Sequence, residues 1–171
     1  MRIAILTAFV VLAAAFATVE PQELREARAT YDAHSSESAR VAYVIRLARL
    51  RERLVRERKD GWQAVDAEIL RHPMANKVDP LSLKKRIIGK WASPRHSYLY
   101  RADGTWTMLP EFLDGNVKST HGIWRIEGNQ FVEGLSEADA TRDTIIALTD
   151  TDFIYGSAIA PAYMKRGDHY F

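Results

Sequence analysis

The sequence changes character at Ile87–Trp91, and this change limits the possible folds more than any other feature of the chain. Before it, the chain is rich in arginine and has few residues that favour turns. After it, short aromatic segments alternate with Gly, Asp and Asn, which readily adopt turn conformations. We therefore predict an α+β protein, in which a helical hairpin region (residues 18–80) precedes a small antiparallel up-and-down β-barrel (residues 81–171).

The N-terminus has the layout of a secretory signal peptide. Arg2 is followed by an almost wholly apolar, uncharged run from Ile3 to Phe16, and Ala15-Phe16-Ala17 supplies the small residues of a cleavage site. We predict that residues 1–17 are removed after Ala17 and that the protein is periplasmic or extracellular in a bacterium. The alternative is an uncleaved anchor, because about 17 uncharged residues are the shortest length that spans a bilayer. Membrane contact through this segment is expected only in that case.

Helical periodicity dominates the next part of the chain. Pro21 opens one helix, and Ser36 can cap a second one, although a single helix could also run through this point. Asp60-Gly61 ends the second helix, and His72-Pro73 ends a third. The two helices on either side of Gly61 form the predicted antiparallel hairpin. The main apolar stripe of the long helix comprises Tyr43, Leu47, Leu50 and Leu54, flanked by Val44, Ala48 and Val55.

The other face of the long helix is strongly basic. Residues 39–59 hold eight basic and two acidic side chains, a local net charge of +6 in a chain whose total is +2. The basic residues are Arg40, Arg46, Arg49, Arg51, Arg53, Arg56, Arg58 and Lys59. We expect Arg46, Arg49, Arg53 and Arg56 to attract anionic lipid or another envelope component. The alternative is a solvated face, partly paired to Glu52 and Glu57. Nucleic acid is not expected, because no aromatic residues alternate with the arginines.

Eight short strands are predicted in the second half, with turn residues every 7–15 positions. Compact turns are expected at Ala102-Asp103-Gly104 and Glu127-Gly128-Asn129, and polar loops at 110–119 and 134–143. The predicted strands are Ile87–Trp91, Ser97–Arg101, Thr105–Leu109, Thr120–Ile126, Gln130–Glu133, Thr144–Leu148, Phe153–Tyr155 and Tyr163–Arg166.

Strand alternation predicts an aromatic interior for the barrel. It puts Tyr98 on the same face as Tyr100, and it does the same for Trp106 with Met108 and for Trp124 with Ile126. The opposite faces hold a second apolar set, Ile88, Leu99 and Ile123, which we expect the helical hairpin to cover.

Gly89-Lys90-Trp91 resembles the G-x-W motif on the first strand of lipocalins, and the resemblance extends over about residues 83–168. This part of the chain is similar to the lipocalin-like domains of secreted bacterial proteins. In that family a late basic residue packs over the Trp, and Arg166 has the matching position. We predict that Tyr98, Tyr100, Trp106 and Trp124 bind a small apolar or aromatic ligand, because aromatic faces supply most of the contact area in such sites. The alternative follows from the short strands: Trp91, Tyr100, Trp106 and Trp124 fill the interior, and the barrel acts as a scaffold.

Catalytic signatures are not found in the sequence. It contains no cysteine, and its five histidines form no H-x-H or H-x-x-x-H pair that would indicate a metal site. A G-x-S-x-G elbow and the phosphate-binding glycine loops are also missing. We therefore predict a non-enzymatic protein without metal or cofactor. Its function is either ligand binding in the barrel or an envelope interaction through the arginine face.

Overall fold

The computed structural model describes residues 20–32, 36–75, 78–109, 119–156 and 160–167. The predicted signal peptide, residues 1–17, lies outside these ranges. Among the helices that the described ranges contain, none is long and apolar enough to cross a lipid bilayer.

In the part of the chain that the structure describes, four helices precede the barrel: α1 (Gln22–Asp32), α2 (Glu37–Arg56), α3 (Trp62–Leu70) and α4 (Pro80–Ile87). The predicted break before α2 is confirmed, because the Ser36 side chain accepts a hydrogen bond from the Ala39 N–H at 3.1 Å. Gly61 joins α2 to α3 with a left-handed backbone, φ 95°, that other residues adopt rarely. The two helices run in opposite directions, as the predicted hairpin requires.

The sheet has eight strands: β1 (Gly89–Ala92), β2 (Ser97–Tyr100), β3 (Thr105–Leu109), β4 (Thr120–Glu127), β5 (Gln130–Gly134), β6 (Thr141–Leu148), β7 (Asp152–Gly156) and β8 (Pro161–Arg166). Each strand pairs antiparallel with the next, and β8 returns to β1 through the pair Trp91–Arg166. The sheet is therefore a closed barrel, which has no exposed strand edge. The predicted α+β class and up-and-down topology are confirmed.

The predicted loop at residues 134–143 is wrong in its last part. β6 begins at Thr141, and Thr141, Arg142 and Asp143 pair with residues of β5. These three polar residues resemble a loop in the sequence. Asp143 nevertheless pairs with the buried Phe131, so that backbone pairing to β5 outweighs the polar composition.

Side chains of both aromatic and aliphatic residues fill the barrel interior. Leu83 and Ile87 of α4, together with Met74, pack against the same cluster. Met74 is also tied to the barrel by its backbone, since its N–H donates to the Ile145 carbonyl at 2.9 Å. The large buried rings of this cluster are Trp91, Tyr100, Trp106, Trp124, Phe131, Phe153 and Tyr155.

The helices cover a different part of the barrel from the one predicted. The apolar faces of α1, α2 and α3 pack against Ala92 of β1 and against outward residues of the last three strands, rather than against Ile88, Leu99 and Ile123. Those outward residues are Ile146, Ala147, Ile154 and Tyr163. A β-bulge between Ile145 and Ala147 turns two successive residues of β6 toward the helices. All four residues of the predicted stripe of α2 are buried, whereas the flanking Val55 is 43% exposed.

The G-x-W motif forms the end of the barrel at which β1 begins. Trp91 is fully buried and its indole N–H donates to the Ile87 carbonyl at 2.7 Å. The Arg166 guanidinium lies 4.4 Å from the Trp91 ring centroid and donates to the Ile88, Asp150 and Arg86 carbonyls. Gly89 has φ 128°, and a Cβ there would lie 2.8 Å from Arg166 Nη1. Glycine is thus required at this position, because any other residue would strain the backbone and collide with the Arg166 side chain.

Candidate functional site

The four arginines singled out in the sequence line one groove. It lies between α1, α2 and the end of β8, and its volume is about 710 Å³, within the range of about 300–1,000 Å³ that ligand sites usually have. We call it the arginine groove. It is lined by Glu23, Ala27, Arg46, Arg49, Leu50, Glu52, Arg53, Arg56 and Lys165.

The arginine groove carries excess positive charge. Its lining has five basic and two acidic side chains, a net charge of +3. Arg53 lies 3.3 Å from a Glu23 oxygen, and Lys165 lies 3.1 Å from a Glu52 oxygen. Within the described ranges, the other three arginines of the groove, Arg46, Arg49 and Arg56, lie beyond ion-pair distance of any carboxylate. The groove therefore has guanidinium groups available to an anion.

Two arginines of the predicted basic face have structural roles instead. Arg40 is only 8% exposed; it pairs with Glu37 and donates to the carbonyls of His72 and Ile146, at 2.6 and 2.7 Å. The Arg51 guanidinium lies over the rings of Trp62 and Tyr163, with centroids at 5.5 and 4.9 Å. The assignment of Arg40 and Arg51 to the basic face is therefore wrong. Helical periodicity alone does not show that the barrel and α3 approach α2 there.

The four predicted ligand-binding aromatics lie together in the barrel. Tyr100, Trp106 and Trp124 are 1%, 7% and 2% exposed, and only Tyr98 is half-buried. The Tyr98 ring stacks on that of Tyr100 at 6.0 Å, and the Tyr100 ring meets those of Trp124 and Phe131 edge-on at 5.6 Å. These contacts have the edge-to-face and offset geometry of a packed aromatic core. Tyr100 and Trp124 therefore pack against each other and against Phe131, and the Trp106 ring meets that of Tyr98 edge-on at 5.8 Å.

Glu133 projects into this aromatic interior from β5, and sequence reasoning missed it. Its two carboxylate oxygens accept hydrogen bonds from the hydroxyls of Tyr100 and Tyr155, at 3.0 and 3.1 Å. Burial raises the pKa of Glu133, and the nearby Asp143 carboxylate raises it further. Burial also raises the pKa of both tyrosines well above 10. In the sequence, Glu133 lies two positions after Phe131 and therefore on the same face of the strand. This position was the available signal of a carboxylate in the apolar interior.

A second buried carboxylate, Glu68 of α3, lies at the centre of the helical layer. It is 4% exposed and pairs with Arg28 of α1 at 2.8 Å. The Tyr43 hydroxyl donates to it at 3.0 Å, and His72 Nε2 lies 3.3 Å away. Burial alone would raise the pKa of Glu68, but these partners outweigh it and lower the pKa to about 2. Glu68 therefore stays ionised and joins three helical segments.

Metal-ligand clusters of three or more His, Cys, Asp or Glu are not found in the part of the chain that the structure describes. His121 lies within hydrogen-bond distance of the Thr107 and Ser119 hydroxyls, at 3.0 and 2.9 Å, which accounts for both ring nitrogens.

Comparison with known proteins finds a similar solved structure but no matching sequence family. The sequence matches no family model, and a search of curated proteins finds no match. Among solved structures, the chain is similar to a lipocalin-like protein from Bacteroides uniformis ATCC 8492, with 11% sequence identity and a TM-score of 0.41. The match covers 48% of this chain and 99% of that chain. The barrel is lipocalin-like in its eight paired strands, their closure and the packed Trp91. Such a barrel with a buried aromatic cluster is compatible with ligand binding.

Proposed function

We propose that this chain is an exported, non-enzymatic binding protein that attaches to anionic lipid headgroups of the cell envelope through the arginine groove. The observation that carries the proposal is the meeting of Arg46, Arg49, Arg53 and Arg56 in one groove of about 710 Å³. Three of these guanidinium groups have no carboxylate within ion-pair distance in the described ranges. Export is supported by the signal-peptide pattern of residues 1–17.

Arginine suits this task for two physical reasons. Its planar guanidinium is weakly hydrated and binds a phosphate through two parallel hydrogen bonds. A basic residue near an anionic membrane surface contributes roughly 1 kcal/mol to attachment. All four arginines project from α2, whose Leu47, Leu50 and Leu54 are buried against the rest of the molecule. The charges are thus held on a rigid element, which lowers the entropy cost of binding.

Vesicle binding tests the proposal. The full chain is expected to bind vesicles of phosphatidylglycerol and phosphatidylcholine, to bind vesicles of phosphatidylcholine alone much less, and to dissociate as salt is added. Changing Arg46, Arg49 and Arg56 together to Gln should weaken binding about 100-fold, since each arginine contributes about 1 kcal/mol.

The matched control changes Arg25, Lys85 and Arg95 together to Gln. These three side chains are exposed and do not line the groove, and the change in net charge is the same. The control variant should retain most of the binding. Equal losses in both triple variants would mean that attachment follows net charge rather than the groove, and the proposal would then be abandoned.

A second candidate function is the binding of a small apolar or aromatic ligand in the barrel, at Tyr98, Tyr100, Trp106 and Trp124. The observation that favours it is the half-buried Tyr98, paired across strands with the half-buried Met108 beside the buried rings. A ligand there should change the intrinsic fluorescence of Trp106, and Tyr98→Ala should remove the response. An unchanged spectrum with every lipid and hydrophobic dye tested would exclude this function.

A further inference from the structure

A separate apolar pocket of about 210 Å³ lies between α1 and α2. It is lined by Ala27, Thr30, Tyr31, Ala39, Ala42, Tyr43 and Arg46. The rings of Tyr31 and Tyr43 stack within it, with centroids 4.6 Å apart and planes 6° from parallel. The Tyr43 hydroxyl is engaged with Glu68, so this tyrosine offers mainly its ring to the pocket.

The apolar pocket and the arginine groove share two lining residues, Ala27 and Arg46. Arg46 is exposed and, within the described part of the chain, has no carboxylate within ion-pair distance. An anion bound by Arg46 would therefore lie at the boundary between a basic surface and an apolar one. Arg49 follows Arg46 at i+3 on the same side of α2, where the two side chains are neighbours and can bind the same anion.

We infer that this composite site takes a lipid with a single aliphatic chain and an anionic head. The head would be a phosphate bound by Arg46 and Arg49, and the chain would occupy the pocket between α1 and α2. The inference rests on the proposed function and specifies its ligand. A pocket of about 210 Å³ is smaller than the roughly 300 Å³ at which sites for whole small molecules begin, so it fits one part of a ligand. Its alanine and tyrosine lining favours hydrocarbon.

Calorimetric titration of the full chain with inorganic phosphate and with hexyl, octyl and decyl phosphate, each below its micelle concentration, tests this inference. Affinity should rise about two- to fourfold for each added methylene until the pocket is full, since burying one methylene contributes up to about 0.8 kcal/mol. Arg46→Gln should weaken the binding of every member of the series. Arg25→Gln, an exposed position on α1 outside both cavities, should change none of them.

Two graded variants test whether the chain occupies the pocket. Ala42 is exposed on α2 and lines the pocket, so a larger side chain there fills it from the surface. Ala42→Trp should remove the dependence on chain length and leave binding of inorganic phosphate unchanged. Ala42→Leu should remove part of the dependence, which separates filling of the pocket from misfolding.

The outcomes separate this inference from the proposed function. Arginine-dependent binding that is equally strong for phosphate and decyl phosphate would overturn the inference and leave the proposed function standing. A dependence on chain length that survives Ala42→Trp would also overturn it, because the chain would then bind elsewhere. Equal binding of decyl phosphate and uncharged decyl maltoside would show that Arg46 does not bind the head group, and it would overturn the inference. If neither anionic vesicles nor alkyl phosphates bind, both ideas fail.

Discussion

The buried Glu68 of the helical layer and the half-buried Glu133 of the barrel have pKa values that are shifted in opposite directions. In the helical layer, Glu68 is paired with Arg28, and its pKa is lowered to about 2. In the barrel, Glu133 accepts hydrogen bonds from two uncharged tyrosine hydroxyls, and the charge that acts on it, that of Asp143, is also negative. Burial then raises the pKa of Glu133. Glu68 therefore differs from Glu133 in having Arg28 as a partner. A cation is not sufficient by itself, because Asp66 of α3 lies 3.3 Å from Arg51 and burial still raises its pKa.

The helical layer and the barrel interior also differ in their packing. The helical layer combines ion pairs with open cavities, among them the arginine groove and the apolar pocket beside it. In the barrel, the rings of Trp91, Phe153 and Phe131 are in contact, with neighbouring centroids 5.6 and 5.1 Å apart. For this reason we assign the proposed binding of anionic lipid to the helices and a mainly structural role to the barrel core.

The largest effect that tests this comparison is expected at Phe131. Its side chain is fully buried and contacts Tyr100, Phe153 and Tyr155 through ring pairs at 5.6, 5.1 and 4.9 Å. Phe131→Ala should lower the free energy of unfolding by about 3–5 kcal/mol, as measured by urea denaturation. Val55→Ala on α2, where the side chain is 43% exposed, should change it by about 0.5 kcal/mol or less. A loss below about 1 kcal/mol for Phe131→Ala would show that the barrel interior is not tightly packed.

The same substitution at the two glutamates should have different effects at pH 7. Glu68→Gln removes the negative charge that pairs with Arg28. This variant should lower the free energy of unfolding by about 1–3 kcal/mol. Glu133→Gln keeps an oxygen for the tyrosines without burying a charge. It should leave stability within about 1 kcal/mol of the original value or raise it. If both variants lose the same amount, the electrostatic contrast between the two regions is wrong.

The pH dependence of stability provides a third and smaller test. The pKa of Glu68 is lower in the folded chain than the ordinary 4.5, so its contribution is complete above about pH 4.5 and is lost as the pH falls toward 2. The pKa of Glu133 is raised, so its favourable contribution is complete below pH 4.5 and is lost as the pH rises through the folded value. The measurement is urea denaturation of each Gln variant and of the unchanged chain, below and above pH 4.5. The free energy that the variant loses relative to the unchanged chain should rise with pH for Glu68→Gln and fall with pH for Glu133→Gln. Parallel curves would contradict the assignment.

Local signals in the sequence predicted most of the fold. Gly104 and Gly128 have positive φ in the two compact turns where glycine was expected to favour a turn, and these turns helped to delimit the eight strands. The Ser36 cap of α2 could be predicted, because N-capping depends on only three or four successive residues. The barrel face that the helices cover was missed. The runs Ile145–Leu148 and Phe153–Tyr155 are apolar on both faces, and this was the available signal of a doubly covered sheet.

The candidate site was less predictable, because it depends on contacts between distant parts of the chain. The arginines were recognisable from the periodicity of α2. Their division into structural Arg40 and Arg51 and groove-lining Arg46 and Arg49 was not, since it follows from how α1, α3 and β8 approach the helix. The pairing of Glu133 with Tyr100 joins positions 33 residues apart and required the barrel register. Five of the seven residues that line the pocket between α1 and α2 are alanines and tyrosines, which look like ordinary core residues in the sequence.

The most direct test of the central claim is an amide chemical-shift map of the full chain, titrated with small bicelles that contain phosphatidylglycerol. We predict that the shifts concentrate on α1 and α2, around Ala27, Ala42 and Arg46, and that the strands holding Tyr98 and Trp106 remain unchanged. Shifts centred on Tyr98, Trp106 and Glu133, with the helices unaffected, would contradict the account. That result would place the ligand in the barrel and make the arginine groove an ordinary solvated surface.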